Sequence, residues 1–256
     1  MAHFPSVERL TFRPSRTKGD PRALRHMLKC LNRIDDVWSL ILTDVTRGDA
    51  GNDERLAFVF DTRRVQLSGL AAELVVPTDG EADLVAGFRN QFACTPYAVA
   101  FKARGKTFVL VTLHVLFGDD SAGRIPELQA IAAWLRKWSR EMNPFKQNLI
   151  TLGDFNIDLL GSDLADALLS TGLVIPPELE TQHRTIFGAT STVRHADQIA
   201  WFPGGKGTPG LSSLTYNNAA DVFDFEPLVL NDLGLTRSQK SYRISDHLPL
   251  WAEFRT

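Results

Sequence analysis

The chain alternates short apolar runs with amphipathic stretches, and the two periods separate strands from helices. After Asp20-Pro21, the residues Leu24, Met27, Leu28 and Leu31 recur at helical spacing. This predicts a helix with Asp20 as N-cap and proline at its first position. Strands are predicted over residues 38–42, 55–60 and 65–70, with a loop rich in Gly48, Gly51 and Asn52 between the first two and a tight turn at 61–64. Residues 97–102 and 107–113 alternate across Ala103-Arg104-Gly105-Lys106 and pair as a hairpin. Residues 125–142 form the clearest amphipathic helix, with Leu128, Ile131, Ala132, Leu135 and Trp138 on one side. Residues 148–152 are apolar on both faces, as in a strand covered on both sides of its sheet. A short helix over 164–169 and strands over 197–202 and 248–254 complete the reading: a sheet-rich core with helices outside.

With 256 residues, 44% of them hydrophobic, the chain supports one large domain or at most two small ones. Residues 13–21 are polar, basic and interrupted by Pro14 and Pro21. Residues 1–20 therefore read as an irregular N-terminal segment and 21–256 as the folded domain. A net charge of -2 excludes a bulk polycation that coats nucleic acid, though not a local basic groove. Cys30 and Cys94 show no disulfide or metal spacing and read as free thiols in a reducing compartment. The start of the chain shows no secretory pattern, and no apolar run approaches the roughly 18 residues of a membrane helix. The expectation is a cytoplasmic protein.

Four segments share one feature, an apolar strand beside polar or acidic residues. They are Val109-Leu110-Val111-Thr112-Leu113-His114, Leu149-Ile150-Thr151-Leu152-Gly153-Asp154-Phe155-Asn156, His195-Ala196-Asp197-Gln198-Ile199 and Ile244-Ser245-Asp246-His247-Leu248-Pro249. Strand ends hold side chains rigidly and can converge on one crevice. Together they offer carboxylates, imidazoles and an amide, a set able to hold a hard cation, orient a water and grip a phosphate. Taken singly, each has a plainer account: Asp154 as a turn former, His114 as a partly buried polar group, Asp197 as a surface ion pair, residues 246–249 as a loop.

Gly153-Asp154-Phe155-Asn156 and Ser245-Asp246-His247-Leu248-Pro249 resemble the two signature motifs of the endonuclease/exonuclease/phosphatase superfamily. Thr112-Leu113-His114, Asp197-Gln198-Ile199 and the Glu54 segment fall in the family's order, and the likeness covers residues 20–256. The resemblance implies a DNase-I-like four-layer α/β sandwich, two packed mixed β-sheets flanked by helices. It implies in-line hydrolysis of a phosphoester, with Mg2+, or Mn2+ in its place, as cofactor. In the roles it implies, Asp246 ligates the metal, Asp154 activates the water and Asn156 holds it or a phosphate oxygen. His247 donates to the phosphate with Asp197 behind it, and His114 contacts the phosphate or leaving oxygen, supported by Glu54.

The resemblance also breaks. The family's first strands, with an asparagine and the principal metal-binding glutamate, are missing or altered, and residues 14–18 contain arginine and lysine where a carboxylate is expected. Cys94 stands where relatives often carry arginine. Glu8 and Glu54 are candidate substitute ligands, 7–12 a candidate replacement edge strand, and a weakened core is expected on this side. The leading expectation is a DNase-like endonuclease acting on nucleic acid, with DNA as substrate. The alternatives are a non-catalytic relative with its metal site disabled, or a phosphatase of lipid or inositol phosphates. The nuclease reading nominates Arg47, Arg55, Lys102, Arg104 and Arg194 for a basic groove. The lipid reading nominates Phe117 and the loop Trp201-Phe202-Pro203-Gly204-Gly205 as exposed apolar groups.

Overall fold

The computed structural model describes residues 20–45, 54–76, 91–115, 121–141, 144–145, 148–184, 195–205 and 209–256. In chain order its elements are α1 (Arg22–Asn32), β1 (Trp38–Leu42), β2 (Ala57–Asp61), β3 (Gln66–Glu73), β4 (Cys94–Ala103), β5 (Lys106–His114), α2 (Ser121–Arg140), β6 (Leu149–Asp154), α3 (Asp163–Leu169), β7 (Asp197–Trp201), β8 (Thr215–Val222), α4 (Arg237–Arg243) and β9 (Leu250–Arg255).

Five strands form the central sheet in the order β3-β4-β5-β6-β7. Each neighbouring pair is antiparallel except β5–β6. A parallel pair requires a crossover, and α2 supplies it. Leu128, Ile131 and Leu135 of α2 are at most 1% exposed and pack, with Leu164 and Leu168 of α3, on Val109, Val111 and Leu113 of β5. Burying one such aliphatic side chain contributes about 1.5–3 kcal/mol.

The opposite face of the sheet is covered by two separate two-stranded ribbons, β1–β2 and β8–β9. Phe58 of the first packs on Tyr97, Val99 and Phe101 of β4. Tyr216 and Phe254 of the second pack on Trp201 and Ile150. Helix α1 lies against β1 as the outermost layer. The layers are therefore helices, sheet, ribbons and helix, a DNase-I-like α/β sandwich whose second sheet is in two pieces among the described residues. Every residue of β1 is only partly buried, and α1 has no buried residue.

Element boundaries shift where local bonding overrides periodicity. The N-cap of α1 is Pro21, not Asp20; the Asp20 carboxylate instead accepts the Arg22 amide at 2.9 Å. The Glu54 segment remains irregular until Ala57. Strand β8 and helix α4 escaped the pattern. Thr215-Tyr216-Asn217-Asn218 is too polar, and its pairing with β9 is irregular. α4 has no apolar stripe, although Thr236 and Gln239 form the capping box that marks its start. Among the described residues, no helix is long and apolar enough to cross a membrane.

Candidate active site

Register brings the chemistry together. Because β5 and β6 run parallel, their last residues, His114 and Asp154, stand side by side. β7 runs back along β6, so its first residue, Asp197, pairs with Asp154. β4 runs against β5, so Cys94 pairs with His114. Four adjacent strands thus present Cys94, His114, Asp154 and Asp197 in a row, with neighbouring strands about 4.8 Å apart. From the other layer come Glu54, ahead of β2, and His247, ahead of β9.

Two carboxylate–imidazole pairs flank Asp154. His114 Nδ1 meets Glu54 Oε2 at 2.6 Å, and its Nε2 lies 3.7 Å from Asp154 Oδ2. His247 Nδ1 meets Asp197 Oδ2 at 2.7 Å, and its Nε2 lies 3.9 Å from Asp154 Oδ2. Each ring is held by one nitrogen and turns the other toward the same carboxylate. The neighbouring Cys94 sulfur and the Glu54 carboxylate outweigh burial and push His114 up to about 10. The bond to Asp197 does the same for His247, pushed up to about 9. Both rings are therefore cationic donors at neutral pH. Asp154 is raised above the usual carboxylate range by burial and by the charge of Asp197.

The local backbone is built for this arrangement. Gly153 has φ +136°, and a Cβ there would stand 2.0 Å from the Leu113 carbonyl oxygen, so only glycine fits between His114's strand and Asp154. After Asp154 the chain turns through Asn156 at φ 49°. The Asn156 amide N–H donates to Asp154 Oδ1 at 2.8 Å, and its side-chain Nδ2 donates to the Val115 carbonyl at 2.7 Å. Asn156 is 7% exposed. Through these two bonds Asn156 fixes the Asp154 turn. Phe155 and Ile157, at most 1% exposed, anchor the same turn in the core.

Asp246 stays exposed beside His247, whose charge it favours. Among the described residues, the groups of donors close enough to share one ion are Asp154, Asp197 and His247, and Glu54, Cys94 and His114; Asp246 is in neither. A hard divalent ion fits the first group, because Asp154 and Asp197 are like charges whose proximity an ion would relieve.

Four further residues carry weight, of which sequence reading noted only Cys94, and that only as a free thiol and a departure from arginine. Asp44 follows β1 at the site end, where Arg55 reaches it at 3.2 Å; an apolar strand followed by Thr-Asp was its signal. The Cys94 thiol, 4% exposed, stands 3.9 Å from Glu54 Oε2. Arg124, 4% exposed, donates to the Asn156 carbonyl at 2.6 Å and to Asp158 at 2.8 Å. Arg184, 1% exposed, donates to the backbone carbonyls of Asp197 and Leu179, while its own carbonyl accepts the Leu248 amide at 2.9 Å. It ties the strand that carries Asp197 to the segment that carries His247. No periodicity announces such arginines.

Of the basic groups nominated for a groove, two stand away from the site among the described residues. Lys102 and Arg104 lie at the far end of the β4–β5 hairpin, eight or more residues and roughly 26 Å from Cys94. Arg55 is engaged by the Thr43 carbonyl at 2.7 Å. Arg47, Arg194, Phe117, Glu8 and residues 7–12 lie outside the described residues. Trp201 and Phe202 are buried at 7% and 2%, so they belong to packing and not to an exposed apolar loop. A crevice of about 370 Å³ adjoins the site, with Leu152, Asp197, Ile199, Phe225, His247 and Leu248 among its lining residues.

In comparison with known structures, the chain has the DNase-I-like fold of endonuclease/exonuclease/phosphatase family proteins. A family protein from Leptotrichia buccalis aligns over 97% of this chain and 82% of its own, with a TM-score of 0.55 and 16% identity. The human nocturnin catalytic domain, with bound sulfate, aligns over 92% and 78%, with a TM-score of 0.59 and 14% identity. D. rerio TDP2, complexed with a single-strand DNA product, aligns over 93% and 84%, with a TM-score of 0.56 and 15% identity. In sequence, the chain is 27% identical over 222 residues to a protein named deoxyribonuclease from Thioalkalivibrio sp.. That alignment takes in 85% of this chain and 55% of the relative, so the chain spans about half the relative's length. No family model matches the sequence.

Proposed function

We propose that this chain is a metal-dependent phosphoester hydrolase, a DNase-like endonuclease that cleaves phosphodiester bonds by in-line attack of water. One observation carries the reading: two imidazoles, each held by its own carboxylate, turn their free nitrogens toward Asp154 at 3.7 and 3.9 Å. Asp154, raised by burial and by Asp197, is the base that takes a proton from the attacking water. His247 and His114 donate from Nε2 to phosphate oxygens as charge develops on them. The bond from water oxygen to phosphorus forms as the bond to the leaving oxygen breaks, and the leaving oxygen takes up the proton that the His114 ring gives from Nε2. Asp197 and Glu54 keep the rings oriented and cationic. Asn156, Arg124 and Arg184 hold the backbone beneath them. The apolar crevice beside His247 receives the sugar or base next to the scissile phosphate.

A divalent ion, Mg2+ or Mn2+, would sit on the carboxylate oxygens of Asp154 and Asp197, with Asp246 and Asp44 as further carboxylates at the same end. It would supply charge neutralisation for the phosphate and a more acidic bound water. The DNA preference rests on the relative named deoxyribonuclease. A reducing, cytoplasmic setting is in keeping with the free cysteines Cys30 and Cys94.

The test is nicking of supercoiled plasmid DNA with magnesium, with and without EDTA. The expected result is nicking that EDTA abolishes. If the folded chain nicks under neither condition, the endonuclease reading fails. Hydrolysis of lipid or inositol phosphates would then identify a phosphatase, and inactivity on every substrate a non-catalytic relative.

A further inference from the structure

Cys94 touches no reacting atom in the proposed hydrolysis and acts there only through its neighbour His114. Its spacing from Cys30 shows no metal pattern. The fold, however, brings it to a different set of donors. We propose that Glu54, Cys94 and His114 form a site for a borderline transition metal of the zinc type, distinct from the hard-cation site beside Asp154.

The His114 ring divides the two. Its Nε2 faces Asp154 at 3.7 Å, while its Nδ1 faces Glu54 at 2.6 Å on the other side. On that side the Cys94 sulfur, His114 Nδ1 and a Glu54 oxygen all lie within 4.8 Å of one another. The sulfur is 3.9 Å from Glu54 Oε2. In a tetrahedral site with bonds of about 2.0–2.3 Å, neighbouring ligand atoms stand roughly 3.3–3.8 Å apart. The sulfur–carboxylate distance is close to that range. The carboxylate and imidazole need to part by roughly 1 Å, exchanging a shared proton for a shared ion.

The donor set selects the metal. Thiolate and imidazole favour zinc, cobalt and copper, whereas magnesium takes oxygen. Three protein ligands leave the fourth tetrahedral position to water. The ligands also come from two layers, Cys94 and His114 from the central sheet and Glu54 from the segment leading into the β1–β2 ribbon. An ion here would staple the thinly packed ribbon to the sheet. It would also take Glu54 away from His114 and so inhibit turnover, a consequence that rests on the hydrolase reading.

Cobalt(II), added to EDTA-stripped full chain, is the probe. The expected result is a thiolate-to-cobalt charge-transfer band in the near ultraviolet that persists in Cys30→Ser and disappears in Cys94→Ser and Cys94→Ala. Competition with zinc should show affinity falling by at least the roughly 10- to 100-fold that loss of even an outer-shell partner costs. Zinc should raise the Tm of the wild type and leave that of Cys94→Ser unmoved. Cobalt bound without the band, cobalt failing to bind, or a band that survives Cys94→Ser would each overturn the site. The plasmid assay separates the two claims. Inhibition by zinc that Cys94→Ser relieves supports the consequence for turnover, while absence of nicking bears on the hydrolase reading and leaves the cobalt result standing.

Discussion

The two faces of the central sheet are covered differently. Among the described residues, the cluster under α2 and α3 contains 22 buried side chains, while the clusters under the β1–β2 and β8–β9 ribbons contain four and three. The candidate site straddles this divide. His114, Asp154 and Asp197 are fixed by strands whose helix-side residues form the large core. Glu54 and His247, the partners of His114 and Asp197, enter from the ribbon side. Each carboxylate–imidazole pair thus joins one residue on the densely packed sheet to one on an element with fewer buried contacts, where local opening is less costly.

The largest expected effect is at the join. Gly153→Ala places a Cβ against the Leu113 carbonyl and should cost more than about 3 kcal/mol, seen as loss of soluble protein or of the cooperative urea transition. Next, Asp154→Ala and His247→Ala should each lower plasmid nicking about 10²–10⁴-fold, with circular dichroism and Tm near those of the parent. If either variant nicks at the parental rate, that residue leaves the mechanism. The faces themselves can be compared by truncation. Leu135→Ala, in the helix-side core, should cost about 2–5 kcal/mol in urea unfolding. Ile41→Ala, only partly buried in β1, should cost about 1 kcal/mol. Equal costs would erase the distinction.

The smallest effect is on pH dependence. Both site imidazoles are raised in the folded state, so the stability they contribute is full below about 6.5. It is lost as pH rises through about 9 for His247 and about 10 for His114. Nicking should fall over the same interval, and Asp197→Asn should move that fall to lower pH. A basic limb unchanged by that substitution would disconnect Asp197 from His247.

The hairpin of β4 and β5, helix α2 and strand β6 were legible because burial on defined faces imposes a period on the residues themselves. The site was legible for a related reason: His114, Asp154, Asp197 and His247 each adjoin an apolar strand, and strand ends at one edge of a sheet are neighbours. Strand β8 was not legible, because Asn217 and Asn218 interrupt its alternation and its pairing is irregular. Helix α4 buries little apart from Lys240, whose Nζ bonds the Glu226 carbonyl, so no stripe marks it.

What the sequence determined by itself was therefore the set of strands and helices with a buried face, and the chemical groups at their ends. Tertiary structure decided the rest. Parallel and antiparallel register set Cys94 beside His114 and Asp154 beside Asp197, turned Asn156 inward and sent Lys102 and Arg104 to the far end of the sheet. Local alternation says which face a side chain takes, but only pairing across strands far apart in the chain says which other side chain it meets.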